Sequence, residues 1–204
     1  MSYSQLGQDK DVIQFYKSKK NGYFVEIGAS DGVNLSNTYL LETKYNWKGI
    51  CAEPIPDKYK LLCKNRKQSH CSDYAVYSES SLELNFDIAN NYDLLSGISS
   101  HIDCHATAVN KNKKQIIVKT ITLNDLLDKF NAPNFIEYLS LDTEGSEYEI
   151  LKSCDFNKYK FGLIHLEHNY IEPRRTQMKE LLLKNGYIFI KENKWDDYYR
   201  HSSL

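Results

Sequence analysis

The chain contains no apolar run long enough to cross a membrane, and its N-terminus shows no charged-then-apolar secretory pattern. No membrane association is expected, and the expected location is the cytoplasm. Net charge is nearly absent, with 26 Lys and Arg set against 27 Asp and Glu in interspersed order. The one basic tract, Lys111-Asn112-Lys113-Lys114, reads as a solvated loop, so no nucleic-acid partner is expected. Cysteine is sparse: five residues, an odd number with no C-x-x-C pair, which argues against a disulfide frame. Cys51, Cys71 and Cys154 fall in or beside predicted core elements and act there as small apolar side chains. Internal repeats are absent as well.

What is present is an alternation of strand and helix signals along 204 residues, the size of one α/β domain. A helix about Asp9 to Lys17 precedes strands at 23–28, 47–53 and 71–77, separated by helices at 35–44 and 58–65. Strand-like 82–88 and 116–121 follow, then helix 123–130, strand 135–141, helix 146–153, strand 161–166, helix 174–184, strand 187–192 and a short strand near Tyr198. This is a parallel-sheet pattern. The polar stretch within 90–115 is too long for an ordinary connection and is read as a lid over a substrate. Inside it, His101-Ile102-Asp103-Cys104-His105 looks like a metal cluster but matches no zinc spacing.

The densest signal is Glu26-Ile27-Gly28-Ala29-Ser30-Asp31-Gly32, placed where a strand feeds a helix. Glycine there lets the backbone approach a ligand. A dinucleotide fingerprint would continue as G-x-G-x-x-G to cradle a pyrophosphate, but Ser30 and Val33 hold the second and third glycine positions. Two acids in and before the turn suit a cationic cofactor without phosphate, such as S-adenosylmethionine. Glu53, closing the next strand, stands at the interval of a ribose-binding acid, and Asp73 stands where an adenine amino group can be held. The sequon Asn34-Leu35-Ser36 falls in this turn region and is read as accidental.

These residues, with Ser4-Gln5-Leu6-Gly7-Gln8-Asp9, Glu53-Pro54, Asp142-Thr143-Glu144-Gly145-Ser146-Glu147 and Trp195-Asp196-Asp197-Tyr198-Tyr199, resemble the FkbM-type S-adenosylmethionine-dependent methyltransferases. The resemblance implies a class I methyltransferase, Rossmann-like fold: a mostly parallel seven-stranded sheet with helices on both faces, in a single domain over 1–204. It also implies O-methylation, commonly of a sugar or other secondary hydroxyl, so that the expected partner is a small-molecule or glycan hydroxyl acceptor. The expected cofactor-binding residues are Gln8, Glu26, Gly28, Asp31, Ser36, Asn37, Glu53 and Asp73.

Chemistry is expected at the carboxyl ends of strands 135–141 and 161–166, where open α/β sheets bind ligands. Asp142 ends the first, and the second runs into Glu167-His168-Asn169. That set resembles metal-dependent O-methyltransferases such as catechol O-methyltransferase, and the expectation is a Mg²⁺ or Mn²⁺ ion on Asp142, Glu167 and His168. Without a metal, His168 is the candidate general base, so Asp142 and His168 are the catalytic candidates. Asp197, among Tyr198 and Tyr199, is placed at the border of a sugar pocket. Two other classes stay open: hydride transfer with a nicotinamide cofactor, which the broken glycine pattern disfavours, and a non-catalytic S-adenosylmethionine-binding subunit.

Overall fold

The computed structural model describes residues 2–90, 95–102 and 112–204. Its main sheet has the strand order β10-β11-β9-β8-β1-β2-β3, built from β1 (Tyr23–Ile27), β2 (Lys48–Ala52), β3 (His70–Ser72), β8 (Phe135–Leu141), β9 (Lys160–Glu167), β10 (Tyr187–Asn193) and β11 (Asp196–His201). Pairings from β3 to β9 are parallel, whereas β11 runs antiparallel to both β9 and β10. The order reverses between β1 and β8, and it is beyond the carboxyl ends at such a reversal that open sheets bind ligands.

Alternation along the strands sends apolar side chains to both faces. Phe24 meets Val12 of α1 (Gln8–Phe15), Leu41 of α2 (Tyr39–Tyr45) and Leu62 of α3 (Pro56–Asn65). Its neighbours Val25 and Ile27 join Leu126 of α4 (Leu123–Lys129), Ile150 of α5 (Glu147–Lys152) and Met178 of α6 (Arg174–Lys184) on the other face. Burying each such side chain is worth about 1.5–3 kcal/mol. Pro56 opens α3, where its fixed φ is already helical, and the Thr122 hydroxyl accepts the Asp125 N–H to cap α4.

A second sheet, β4-β7-β5-β6, comprises β4 (Ala75–Val76), β7 (Lys113–Ile121), β5 (Glu83–Ala89) and β6 (Gly97–Ile98). It holds its own core of Ile55, Ala75, Phe86, Ile98 and Val118. Two expectations change here. The single strand expected at 71–77 is two, in different sheets, with Asp73 and Tyr74 at the break. The lid span 90–115 is partly regular: β6 lies in it and β7 begins within it, while 91–94 and 103–111, including Asp103, Cys104 and His105, lie outside the described residues. No described helix is long and apolar enough to cross a membrane.

Candidate active site

The carboxyl ends of β1, β2, β8 and β9 open into a cleft of about 540 Å³ that the second sheet walls through Phe86 and Ile98. Three strand ends meet at Gly28. Its φ is +86°, and a Cβ there would lie 1.8 Å from the Asp142 carbonyl oxygen. The Gly28 and Ala29 N–H groups both donate to the Ala52 carbonyl, at 3.1 and 3.0 Å. Glu53, 5% exposed on the cleft wall, accepts the Ser30 N–H at 2.9 Å and the Ile55 N–H at 2.9 Å. Its carboxylate is thus held rigidly at the cleft, a disposition that suits paired ribose hydroxyls.

The other expected cofactor residues divide. Gln8, Ser36 and Asn37 line the cleft beside Gly28 and Glu53. Gln8 Nε2 donates to Asp196 Oδ2 at 2.8 Å, tying the N-terminal helix to β11. Asn37 Nδ2 donates to the Ser140 hydroxyl at 2.8 Å, and Asn37 Oδ1 is a buried acceptor with no partner among the described residues. Glu26 reaches the cleft, but its carboxylate is engaged by the Asn37 N–H at 2.6 Å, the Thr38 hydroxyl at 2.6 Å and the Arg66 guanidinium at 3.2 Å. Two residues are not on the cleft wall. The Asp31 carboxylate folds back to accept the Val33 and Asn34 N–H groups at 2.9 and 2.8 Å; burial pushes against its ionisation, yet these bonds and the nearby Lys58 hold its pKa below the usual value. Asp73 is exposed, since the chain leaves the main sheet at that residue, and Tyr74 and Ala75 face the cleft instead.

At the floor, one carboxylate oxygen each from Asp142, Glu144 and Glu167 lies within 4.8 Å of the other two. Glu144 gets there through a left-handed turn, φ +57°, followed by Gly145 at φ +129°. Glu147 Oε1 closes this loop by accepting from the Thr143 N–H and hydroxyl and the Gly145 N–H at 2.8, 2.9 and 3.1 Å. Glu167 is 6% exposed, and its Oε2 has no hydrogen-bond partner among the described residues. Crowding of like charge out of bulk water favours the protonated forms. Burial, then the Asp196 and Glu147 charges, push Asp142 up to about 7. Burial and Asp142 push Glu167 well above the usual range, and burial lifts Asp196 to about 6 against the pull of the Gln8 hydrogen bond.

His168 does not join this cluster. Its ring is fully buried away from the cleft, with Nε2 3.5 Å from Asp197 Oδ1, and Nδ1 accepts the Tyr170 N–H at 2.9 Å. Burial lowers its pKa. The expected trio of Asp142, Glu167 and His168 is therefore not brought together: Glu144 stands with Asp142 and Glu167, whereas His168 stands apart with Glu192 and Asp197. Asp197 is likewise withdrawn: Arg175 clamps both of its oxygens at 2.9 and 2.7 Å, and Trp195, not Tyr198 or Tyr199, lines the cleft from this segment. Glu144 and Asp196 stand in the quoted motifs but carry no site role in the sequence reading.

The methyltransferase FkbM domain matches residues 26–189. The chain belongs to the FkbM methyltransferase family. Its reaction is accordingly methyl transfer from S-adenosylmethionine. No curated protein sequence is a significant match. Among solved structures, precorrin-6y C5,15-methyltransferase from Geobacter metallireducens GS-15 aligns with a TM-score of 0.50 at 12% identity, over 94% of this chain and 84% of that one. The delta-N METTL16 MTase domain aligns with a TM-score of 0.51 at 10% identity, over 97% and 81%. At such identities the likeness is one of fold, and with the sheet order it makes this FkbM-family chain a class I, Rossmann-like methyltransferase. The chain's own residues fit the cofactor: Glu53 on the cleft wall suits the ribose, and the orphan Asn37 Oδ1 suits an ammonium donor.

Proposed function

We propose that this FkbM-family chain, as one domain, methylates a hydroxyl of a sugar or glycan in the cytoplasm, with a divalent cation held by Asp142, Glu144 and Glu167. The observation that supports the reading is the all-oxygen donor set within 4.8 Å at the cleft floor. Oxygen-only carboxylate ligands favour Mg²⁺ or Mn²⁺ over softer ions, and the buried Glu167 Oε2 with no described partner is the kind of atom a cation satisfies. Such an ion, when bound, lowers the pKa of an acceptor hydroxyl and orients it. The acceptor oxygen gives its proton to water and forms its bond to the methyl carbon as the sulfur–methyl bond breaks, the bonding pair returning to sulfur as S-adenosylhomocysteine leaves.

A metal-free variant rests on Asp142, whose carboxyl lines the cleft beside Glu167. Asp142, pushed up to about 7, is matched to take the hydroxyl proton near neutral pH. Release of S-adenosylhomocysteine across a panel of monosaccharides, oligosaccharides and amines, with and without EDTA, separates the two. Turnover of at least one sugar, lost in EDTA and restored by Mg²⁺ or Mn²⁺, is expected. Undiminished turnover in EDTA leaves Asp142 as base, and turnover of amines but of no sugar in the panel defeats the acceptor assignment.

A further inference from the structure

Arg66 follows α3 directly and is 1% exposed. Its Nε donates to Glu42 Oε2 of α2 at 2.8 Å, and Nη1 donates to Glu26 Oε2 of β1 at 3.2 Å. The same guanidinium reaches the intervening segment three times: Nη1 to the Gly32 carbonyl at 3.3 Å and the Ser36 hydroxyl at 3.2 Å, and Nη2 to the Thr38 hydroxyl at 2.7 Å. Its stem is packed as tightly as its head, since a Cβ on Gly32 would lie 2.7 Å from Arg66 Cγ. Buried ion pairs add little net stability over apolar packing, because desolvating the charges offsets their attraction. What arginine supplies that an apolar side chain or lysine does not is a planar fork that fixes several acceptors at once.

Those acceptors belong to the segment that carries Asn37 to the cleft. Asn37 is fixed through both backbone and side chain: its backbone N–H donates to Glu26 Oε1 at 2.6 Å and its Nδ2 to the Ser140 hydroxyl at 2.8 Å, which leaves Oδ1 as the buried atom with no described partner. Asn37 is 8% exposed. We propose that Arg66 is a positioning residue for cofactor binding: it clamps segment 32–38 onto Glu26 so that Asn37 Oδ1 stands ready to accept a hydrogen bond from the ammonium group of the methionine end. This rests on the reading of the cleft as the cofactor site.

Calorimetry with S-adenosylhomocysteine on the full chain tests it. Arg66→Lys keeps the charge and removes the fork; the dissociation constant should rise about tenfold or more, the scale of one lost hydrogen bond. Placed in an Asn37→Ala background, the same change should cost less than about twofold, because the group it positions is gone. Thr38→Val removes the Nη2 acceptor with little change of shape and serves if Arg66→Lys does not fold; it should weaken binding about threefold, again only when Asn37 is present. Unchanged affinity in these variants, or an equal loss with and without Asn37, overturns the proposal while leaving the cofactor site standing. A wild-type chain that fails to bind S-adenosylhomocysteine overturns the reading of the cleft itself.

Discussion

The backbone of Gly28 lies so close to that of Asp142 that a single added methyl group would meet the Asp142 carbonyl oxygen at 1.8 Å. The cofactor turn and the acidic floor are therefore one rigid unit. Gly28→Ala adds that clash to a left-handed φ of +86° that a side chain strains. It should cost about 3 kcal/mol of unfolding free energy, the upper end of ordinary point changes. Urea denaturation measures it; a loss under about 0.5 kcal/mol, the level of a neutral surface change, would mean the two strand ends move apart freely.

Glu53 offers a cleaner separation of binding from folding. Glu53→Gln keeps one carbonyl oxygen to accept from the Ser30 or Ile55 N–H but removes the charge. Affinity for S-adenosylhomocysteine should fall by about 1.5–3 kcal/mol, the scale of a hydrogen bond to a charged group. Stability without ligand should change by about 1 kcal/mol or less. Wild-type affinity in this variant would remove Glu53 from the ribose contacts.

Strong periodicity made the frame readable from sequence. Strand 135–141 and helix 174–184 stand at the expected residues, and the glycine turn lies at the sheet's reversal point. The site was read less completely, for two physical reasons. The strand β9 ends at Glu167, and beyond it the chain turns His168 into a buried contact with Asp197 while Glu167 and Asn169 line the cleft, a divergence that strand periodicity does not specify. Glu144 enters through a left-handed turn that follows from no propensity of a glutamate. The splitting of 71–77 was equally hidden, because Cys71, Ser72, Ala75 and Val76 suit either sheet. Only the pairing of β3 with β2 and of β4 with β7 decides which sheet takes each half.

The second sheet should carry a distinct acid sensitivity at Asp87. Burial opposes ionisation of this residue, which is 2% exposed, but hydrogen bonds from Lys113 at 2.6 Å and Gln115 at 2.9 Å prevail and hold its pKa below the usual carboxylate value. A carboxyl with a lowered folded pKa contributes stability that is complete above the unfolded value and is lost as pH falls through the folded one. Asp87→Asn should therefore cost about 1–2 kcal/mol at pH 7, and the difference from wild type should shrink as pH drops below the usual carboxylate range. Urea titrations of both proteins at neutral and strongly acidic pH test this. A difference that stays constant with pH would show that the Lys113 contact contributes no charge-dependent stability.

The cation assignment makes a demand that the alternative set does not. If Asp142, Glu144 and Glu167 hold the ion, Mn²⁺ should raise the melting temperature of the wild-type chain, because a ligand that binds only the folded state stabilises it by mass action. Glu144→Gln and Glu167→Gln should each abolish that increment, since each removes one of three charges that anchor the ion. Their melting temperatures without metal should hold or rise, because each change also relieves repulsion among crowded carboxylates. His168→Gln should behave oppositely: it disturbs the buried contact with Asp197 and lowers the metal-free melting temperature, yet leaves the Mn²⁺ increment intact. An increment that survives Glu144→Gln and vanishes in His168→Gln would restore histidine to the site. An increment absent from the wild type, with full turnover in chelator, would leave a proton acceptor at Asp142 as the sole chemistry of the cluster.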